Sequence, residues 1–428
     1  MFDFWLLAYV ILSSLTVLGA MLWVGQAWEH RRYAKSCMRA LDQRQATGRA
    51  LVLTPCKGFD LGLENNLRCL FEQDYRDYEI TFVVESGDDP ACPVIRRVMA
   101  EYPRAAAQLV VAGRATESGQ KVHNLRAATA LLSPSIRYLL FVDSDARPRP
   151  EWLRAAIARL DQDDAGAVTG YRWFVPARPT LANHVLYSVN CGVMSLLGRK
   201  SHYLVWGGSW AIRRDKFEQS CLREAWKGTL SDDLVAGRVL RRGRQSVCFE
   251  PACVVASPLQ CSLGQMFSFI RRQYMVVRYY APFWWLGTVL ISTGKNIAWL
   301  ATLVLLGCGA CSGTPPLGIP LGFAIALYLL GVGHRWLVQD LLRSYFPERR
   351  HALLAAQRFD IWAGSLAGLL NCLGLLSSIF GRHIRWRGIR YRLSLGGQIR
   401  SVHHEAHAGS APHAAARRAA NDRFQRAA

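Results

Sequence analysis

The chain has 428 residues, of which 51% are hydrophobic and 14 are Trp, and its positive mean hydropathy disfavours an ordinary soluble enzyme. The formal net charge of +21 is compatible with an anionic partner, but the Lys and Arg residues cluster beside apolar segments. That arrangement is typical of contact with lipid headgroups. Because zinc-finger spacing and a recognition-helix pattern are missing from the sequence, we expect no nucleic-acid partner.

The first apolar segment, residues 4–28, contains no charged residue and is long enough to cross a bilayer as a helix. It lacks the basic start and the small-residue cleavage site of a signal peptide, so we predict a retained anchor over residues 1–30. Arg31, Arg32 and Lys35 follow directly. The positive-inside rule then places the next domain in the cytoplasm, as expected for a multi-pass protein of a bacterial inner membrane.

Residues 49–258 alternate between short apolar strands and helical patterns. Helix-like segments such as 61–71, 91–102 and 124–132 separate the strand-like runs. The strands are predicted at residues 50–54, 79–84, 108–112, 137–142 and 167–169. Alternation at this spacing predicts an α/β domain with a mostly parallel sheet that helices cover on both faces.

The chain beyond residue 258 returns to membrane-like composition. Residues 262–282 mix apolar side chains with arginines and predict an amphipathic helix at the membrane interface. A C-terminal membrane region over 284–381 follows, with apolar stretches at residues 286–311, 317–338 and 361–380. If the chain enters these three spans from the cytoplasm, it would end outside the cell. The segment after residue 381 is strongly basic, however, which by the charge rule favours the cytoplasm. Either one stretch is re-entrant or interfacial, or the charge rule fails at the last helix.

The basic tail, residues 382–428, is expected to be partly disordered, starting after Gly397. Four of its histidines are compatible with metal binding, although a solvated tail is the favoured interpretation. They are His403, His404, His407 and His413.

The most informative motif is Asp143-Ser144-Asp145, which directly follows the strand predicted at 137–142. Open α/β folds bind ligands at the carboxyl ends of their strands. Divalent Mg²⁺ or Mn²⁺ prefers carboxylate oxygens, especially beside phosphates. The motif therefore indicates a metal site, and the alternative is an Asp-rich turn that caps the next helix.

Polar clusters follow two further predicted strands. Lys57 lies in a Gly-containing loop that can present backbone N–H groups to a nucleotide, or that simply connects a strand to a helix. Glu85 and Asp89 follow the second strand, where a carboxylate can accept hydrogen bonds from a base or ribose, or can cap a helix before Pro90.

Charged residues later in the chain indicate catalytic roles. Asp232 and Asp233 open an amphipathic helix, where one carboxylate can act as a general base and the other as a cap. Arg271 and Arg272 lie where the soluble domain meets the membrane, and guanidinium groups suit a departing diphosphate. Contact with lipid headgroups is the alternative for this pair.

The order of these motifs resembles the membrane-bound family 2-type glycosyltransferases, closest to the ceramide glucosyltransferase-like branch. The resemblance extends from residue 6 to about residue 393. Each motif alone is weak, but their shared order between one anchor and several C-terminal spans is specific. The matching segments are PCKGFDLGLENNL, ESGDDPA, KVHNL, FVDSDA, GGSWAIRRD, SDDL, QMFSFIRRQ and RWRGIRYRL.

The resemblance implies a GT-A-type α/β domain that binds a nucleotide sugar on the cytoplasmic face, flanked by N-terminal and C-terminal transmembrane helices. It implies a divalent cation, Mg²⁺ or Mn²⁺, held by Asp143 and Asp145 beside the donor diphosphate. Asp233 matches the catalytic base and Arg272 the arginine of the (Q/R)xxRW motif. Further substrate-binding positions are Lys57, Glu85, Asp89, Lys121, Asp143 and Arg271.

This sequence departs from the family pattern at two places. Phe269 and Gln273 replace the first and last positions of the (Q/R)xxRW motif, so only Arg272 remains of it. Asp232 precedes Asp233 in an unusual context, which leaves the base assignment open between them.

The implied function is inverting transfer of a sugar, with glucose favoured, from a nucleotide donor that is expected to be UDP-linked. The expected acceptor is the hydroxyl of a membrane lipid such as ceramide. One alternative is a processive polysaccharide synthase, which usually has more spans and an intact QxxRW motif. A second alternative is a non-catalytic membrane scaffold or transporter.

Overall fold

The computed structural model describes residues 2–130, 132–162, 165–199, 204–312 and 318–405. The chain divides into two compact units, which are described separately below. The helical unit comprises the residues up to Lys35, Arg178–Leu196 and Cys261–Phe380. The sheet unit comprises Ser36–Ala177, Leu197–Gln260 and the chain from Gly381 onward.

A seven-stranded mixed sheet forms the centre of the sheet unit. Its strands are β1 (Arg49–Pro55), β2 (Tyr78–Val84), β3 (Ala106–Val111), β4 (Ile136–Val142), β5 (Ala167–Pro176), β6 (Ser209–Arg213) and β7 (Val247–Leu259). They lie in the order β3-β2-β1-β4-β6-β5-β7. Neighbours among the first four strands are parallel, as are β5 and β7, whereas β6 runs antiparallel to both of its neighbours. The predicted α/β domain with a mostly parallel sheet is therefore confirmed.

Two strands, β6 and β7, lie outside the predicted set. β6 is only 5 residues long, and β7 contains Pro251 and Pro258, so neither segment shows a regular strand pattern. β7 pairs with β5 across an irregularity at Gly170, where an added Cβ would lie 1.9 Å from the Cys253 carbonyl oxygen. Glycine is required there because the two backbones approach closely.

The central strands are apolar because the sheet is buried on both faces. Every interior residue of β1 is buried, and helices with one apolar side pack over the sheet. These helices are α2 (Leu63–Phe71), α3 (Ala91–Glu101), α4 (Gln120–Ala128) and α5 (Trp152–Gln162). Three more helices of the sheet unit are α7 (Arg214–Gln219), α8 (Leu222–Ala225) and α9 (Asp232–Arg242).

A second sheet corrects the prediction for the C-terminal tail. Antiparallel strands β8 (His383–Trp386), β9 (Ile389–Leu393) and β10 (Ile399–His404) form it, so the chain just beyond Gly397 is ordered. Apolar and charged residues alternate along β8 and β9, and Ile384, Ile389 and Tyr391 are buried. The basic charge of this segment obscured its period of two. The His404 ring bonds the Ala115 carbonyl, while His407 and His413 lie outside the described residues.

Within its described residues, the helical unit contains α1 (Phe2–Arg39), whose last turn continues into the sheet unit, and six further α-helices. They are α6 (Leu181–Met194), α10 (Leu263–Tyr280), α11 (Pro282–Ser312), α12 (Gly318–Gln339), α13 (Leu342–Tyr345) and α14 (Leu354–Ser377). Among the described residues, α1, α11, α12 and α14 are long and apolar enough to cross a membrane. Most of each predicted apolar stretch therefore lies in one of these four helices. A Ser262–Gln265 capping box starts α10, the predicted interface helix.

Candidate functional site

The carboxyl ends of β2, β1 and β4 bring the first predicted site residues together. These strands are parallel neighbours, so the loops that follow them share one edge of the sheet. Lys57, after β1, forms an ion pair with Glu85, after β2. Asp89 accepts hydrogen bonds through Oδ1 from the backbone N–H groups of Gly58 at 2.8 Å and Ala91 at 2.9 Å. It thus holds the β1 loop and the first residue of α3 through the same oxygen.

Lys121, near the start of α4, joins two predicted clusters that are distant in sequence. Its Nζ lies 2.8 Å from Oδ1 of Asp143 and 3.2 Å from Oδ1 of Asp232, and it donates to the Gly207 carbonyl at 2.9 Å. Burial alone would lower the pKa of Lys121, but the nearby carboxylates outweigh burial and raise it. Lys121 is therefore a fixed cation that compensates the acidic cluster.

The Gly207-Gly208 turn lets the backbone approach this cluster. An added Cβ on Gly207 would lie 2.8 Å from Oδ2 of Asp232 and 2.9 Å from Nζ of Lys121. On Gly208 it would lie 2.3 Å from the Trp206 ring and 2.8 Å from Oδ2 of Asp143. The GGSW segment thus needs glycine because side-chain carboxylates pack directly against its main chain.

Asp232 and Asp233 differ in accessibility. Asp232 is only 3% exposed, and burial, opposed by Lys121, raises its pKa to about 7. Asp233 is half-buried and accepts hydrogen bonds from the Gly207 N–H at 3.0 Å and from the Ser231 hydroxyl. Ser231 is the N-cap of α9. Of the two carboxylates, Asp233 is therefore the one more open to a second substrate.

Asp145 is the carboxylate whose surroundings best fit a cation. Burial and the neighbouring Asp143 and Asp60 raise the pKa of Asp145 to about 6. Its buried Oδ1 has no hydrogen-bond partner among the described residues. Burying a carboxylate oxygen costs free energy unless a hydrogen-bond donor or a cation interacts with it. Although no cluster of three or more His, Cys, Asp or Glu ligands occurs in the described ranges, a hard cation shared with phosphate oxygens needs only one or two carboxylates.

Asp60 is a site residue that the sequence analysis did not assign. The Ser144 hydroxyl, in the middle of the Asp143-Ser144-Asp145 motif, donates to Oδ2 of Asp60 at 2.6 Å. Asn66 of α2 donates to the Ser144 carbonyl at 3.0 Å, which fixes the motif from the same side. The pattern Lys57-Gly58-Phe59-Asp60 contained the signal, because its loop follows the strand next to β4.

The predicted arginines lie in the helical unit on α10. Arg271 donates to the carbonyl of Phe380 at 2.7 Å and to that of Ser377, so it caps the end of α14. These contacts favour a structural role for Arg271 over the predicted phosphate contact. Arg272 lies over the ring of Phe269, with its guanidinium carbon 5.3 Å from the ring centroid.

Comparison with known proteins yields a family match over most of the chain. The sequence profile of Glycosyl transferase family 21 matches residues 9–399. The chain is also similar to Ceramide glucosyltransferase 3 of Caenorhabditis elegans, with 31% identity over 77 residues, which is 18% of this chain and 17% of that protein. A ceramide glucosyltransferase of Komagataella phaffii is 37% identical over 59 residues, 14% of this chain and 12% of its own length. The matched segments thus span less than a fifth of these relatives.

Among solved structures, the chain is similar to a mannosyltransferase from Pyrobaculum calidifontis in complex with GDP-Man and Mn²⁺. The TM-score is 0.47 at 17% sequence identity, and the match covers 83% of this chain and 99% of that one.

Proposed function

The chain belongs to glycosyl transferase family 21, and we propose that it transfers a sugar from a nucleotide donor to a membrane lipid. The family membership and the seven-stranded mixed sheet confirm the predicted GT-A-type α/β domain. The single observation that supports the proposed activity most strongly is the Asp143–Lys121–Asp232 network beside Asp233 at one sheet edge. This network supports the proposal of a diphosphate site next to a general base.

The donor nucleotide is proposed to bind across the loops after β1, β2 and β4. Lys57, Glu85 and Asp89 lie where a base and ribose would meet the sheet edge. We propose a divalent cation, Mg²⁺ or Mn²⁺, held chiefly by Asp145, because Asp143 is already paired with Lys121. When bound, that ion would neutralise negative charge on the donor diphosphate.

The chemical step follows from the position of Asp233. Its carboxylate would take the proton of the acceptor hydroxyl, and the freed oxygen would form a bond to the anomeric carbon. The bond between that carbon and the diphosphate oxygen breaks at the same time, which inverts the anomer and releases the nucleoside diphosphate. The positive charge of Lys121 balances the carboxylates of Asp143 and Asp232. The role of Arg272 at the leaving diphosphate stays a prediction from the family resemblance.

The acceptor is proposed to be a lipid because four apolar helices and the interface helix α10 accompany the sheet unit in one chain. A hydroxyl at headgroup depth is the acceptor that such a membrane region can supply. The names of the relatives, ceramide glucosyltransferases, favour ceramide as the acceptor and glucose as the sugar. A UDP-linked donor is proposed from the family resemblance.

The test of this function is incubation of membranes with labelled UDP-glucose, UDP-galactose and GDP-mannose, followed by identification of the labelled lipid. We expect one sugar per lipid, release of free nucleoside diphosphate, and loss of both when divalent ions are chelated. The matched control is membrane containing the Asp233→Asn variant. A labelled polymer, or no label in any lipid fraction with any donor, would contradict the proposal.

Contacts within the helical unit support a proposal for how three of its helices cross the bilayer. Near the start of α1, the Tyr9 hydroxyl lies 3.0 Å from the Thr302 hydroxyl of α11, and its ring lies 5.8 Å from that of Phe323 on α12. Near the end of α1, Arg31 and Lys35 pair with Asp340, directly after α12, at 2.7 and 2.5 Å. The first turns of α11 and the last turns of α12 therefore lie at the basic end of α1, which the charge rule places in the cytoplasm.

Both ends of helix α14 contact the proposed cytoplasmic ends of α11 and α12. Near its start, Asp360 accepts a hydrogen bond from the Gln339 side chain of α12 at 2.6 Å. At its end, Ser378 accepts from the Trp285 indole of α11 at 2.9 Å. In between, Asn371 donates to Tyr274 of the interface helix α10 at 2.8 Å. We therefore propose that α14 lies along the cytoplasmic interface and that, of the four apolar helices described, α1, α11 and α12 cross. With three crossings the basic C-terminal segment would lie on the cytoplasmic side, as the charge rule expects.

This topology predicts where two inserted epitope tags become accessible. In sealed cells, a tag between α11 and α12 should be labelled from outside, whereas a tag in the turn between β9 and β10 should not. The reason is that three crossings leave the C-terminal sheet on the side of the sheet unit. Permeabilised cells, in which both tags should be labelled, are the control. External labelling of the second tag would show that α14 crosses the membrane.

A further inference from the structure

The hairpin between β8 and β9 contains an uncommon backbone conformation. Trp386 pairs with Ile389, so the turn consists of Arg387 and Gly388 alone, with φ of +48° and +75°. Two-residue turns with both φ values positive favour Asn-Gly or Asp-Gly. An arginine at the first position is unusual, and residues held in sparsely populated backbone regions occur preferentially at functional sites.

The Arg387 side chain reaches the site described above. Its Nη2 donates to Oδ1 of Asp60 at 2.6 Å, and its Nη1 donates to the Lys57 carbonyl. The other carboxylate oxygen of Asp60 accepts from Ser144, within the Asp-x-Asp motif. Arg387 is thus one hydrogen-bonded residue away from the loop that carries Asp143 and Asp145.

Hydrogen bonds connect the C-terminal strands to the rest of the sheet unit. The position of the Arg387 turn is therefore fixed by these contacts. The Tyr391 hydroxyl, which is buried, accepts from the backbone N–H of Gln120 at 3.1 Å. The Ile399 N–H donates to the Gly228 carbonyl at 2.8 Å, and Gln398 bridges to Thr229. These anchors position the turn against the β1 loop.

The positive charge of Arg387 interacts with the carboxylates of the site. Burial opposes its charged form, yet Asp60 and Asp145 outweigh burial and raise the pKa of Arg387. In turn, the positive charges of Arg172 and Arg387 act to lower the pKa of Asp145, against the rise that burial causes. About a third of the Arg387 side chain, 32%, stays exposed. A permanently charged, planar group with several N–H donors therefore remains open beside the proposed cation position.

We propose that Arg387 binds the diphosphate of the nucleotide-sugar donor. The inference rests on the proposed function and deepens it, because it adds a diphosphate ligand from the C-terminal hairpin to the residues at the edge of the central sheet. Guanidinium groups recognise phosphate oxygens in pairs, and the Asp60 contact holds the fork in place before the donor arrives.

The test compares UDP with uridine as ligands of the purified full-length chain in lipid nanodiscs with Mn²⁺ present. In Arg387→Asn the cation is lost, but the turn becomes Asn-Gly, so we expect unchanged or higher thermal stability. UDP should bind roughly 10- to 100-fold more weakly, because a charge-assisted bidentate contact is lost, while uridine binding changes by less than about 3-fold. Arg387→Lys, which keeps the charge but not the fork, should recover part of the UDP affinity.

The matched control is Arg385→Gln on the same hairpin. Arg385 bonds Glu405 at 2.9 Å and is 71% exposed, so its loss should leave UDP binding at the native level. Native-like UDP affinity in Arg387→Asn would overturn the inference, as would a variant that loses thermal stability and both ligands together. If the native chain binds neither UDP nor GDP, the proposed function is wrong, and the proposed role of Arg387 is wrong as well.

Discussion

Replacing Asp233 with Asn is expected to reduce sugar transfer on the order of 10²- to 10⁴-fold, because the acceptor hydroxyl then loses its general base. The amide oxygen can still accept the Gly207 N–H bond that Asp233 makes at 3.0 Å, so the turn and donor binding should survive. The measurement is turnover of labelled donor in membranes, set beside nucleotide affinity of the purified variant. Loss of turnover with retained affinity separates catalysis from folding.

Asp232→Asn is the matched control for the base assignment. The pKa of Asp232 is raised to about 7, so near neutral pH its proton is already partly bound and a neutral amide changes its charge by less than one unit. The buried position also keeps it from an acceptor. We expect a smaller loss, within about 10-fold, than the base variant shows. The reverse order of effects would move the base role to Asp232.

Replacing Asp145 with Asn is expected to abolish dependence on divalent ions and to lower transfer on the order of 10²- to 10³-fold. That range is typical when one electrostatic contact to a developing charge is lost. The buried Oδ1 without a hydrogen-bond partner in the described part of the chain is the atom that such an ion would satisfy. The measurement is a titration of Mn²⁺ or Mg²⁺ into chelator-treated membranes, with donor-dependent nucleotide release as the readout.

A control for the ion assignment is Asp60→Asn, which changes a neighbouring carboxylate that already accepts from Ser144 and Arg387. That variant should keep a saturable response to the ion. If Asp145→Asn keeps the native midpoint for the ion, Asp145 is not its ligand, and the raised pKa of Asp145 reflects only burial and the neighbouring carboxylates of Asp143 and Asp60.

Much of the fold followed from local pattern. The long apolar helices, the helix at Leu263–Tyr280 and the alternation of strands with helices were predicted because each depends on composition or period within a short window. β6 and β7 were missed because one is too short and the other is interrupted by prolines, so neither shows a strand period. The C-terminal hairpin was missed because arginines mask the alternation of Ile384, Ile389 and Tyr391.

The sequence by itself determined which loops carry the candidate chemistry, since parallel strands deliver the residues after them to one edge. It did not determine how the charges pair. Lys121 lies between Asp143 and Asp232 only because α4 and the Gly207 turn meet beside β4. Arg387 is 327 residues away from Asp60 in the sequence, and the two side chains meet only because the hairpin docks beside the β1 loop. An apolar helix looks the same from its composition whether it crosses or lies along the membrane, so the proposal for α14 depends on tertiary contacts at its two ends. Pairing of distant charges and helix orientation are properties of tertiary packing, which no local period encodes.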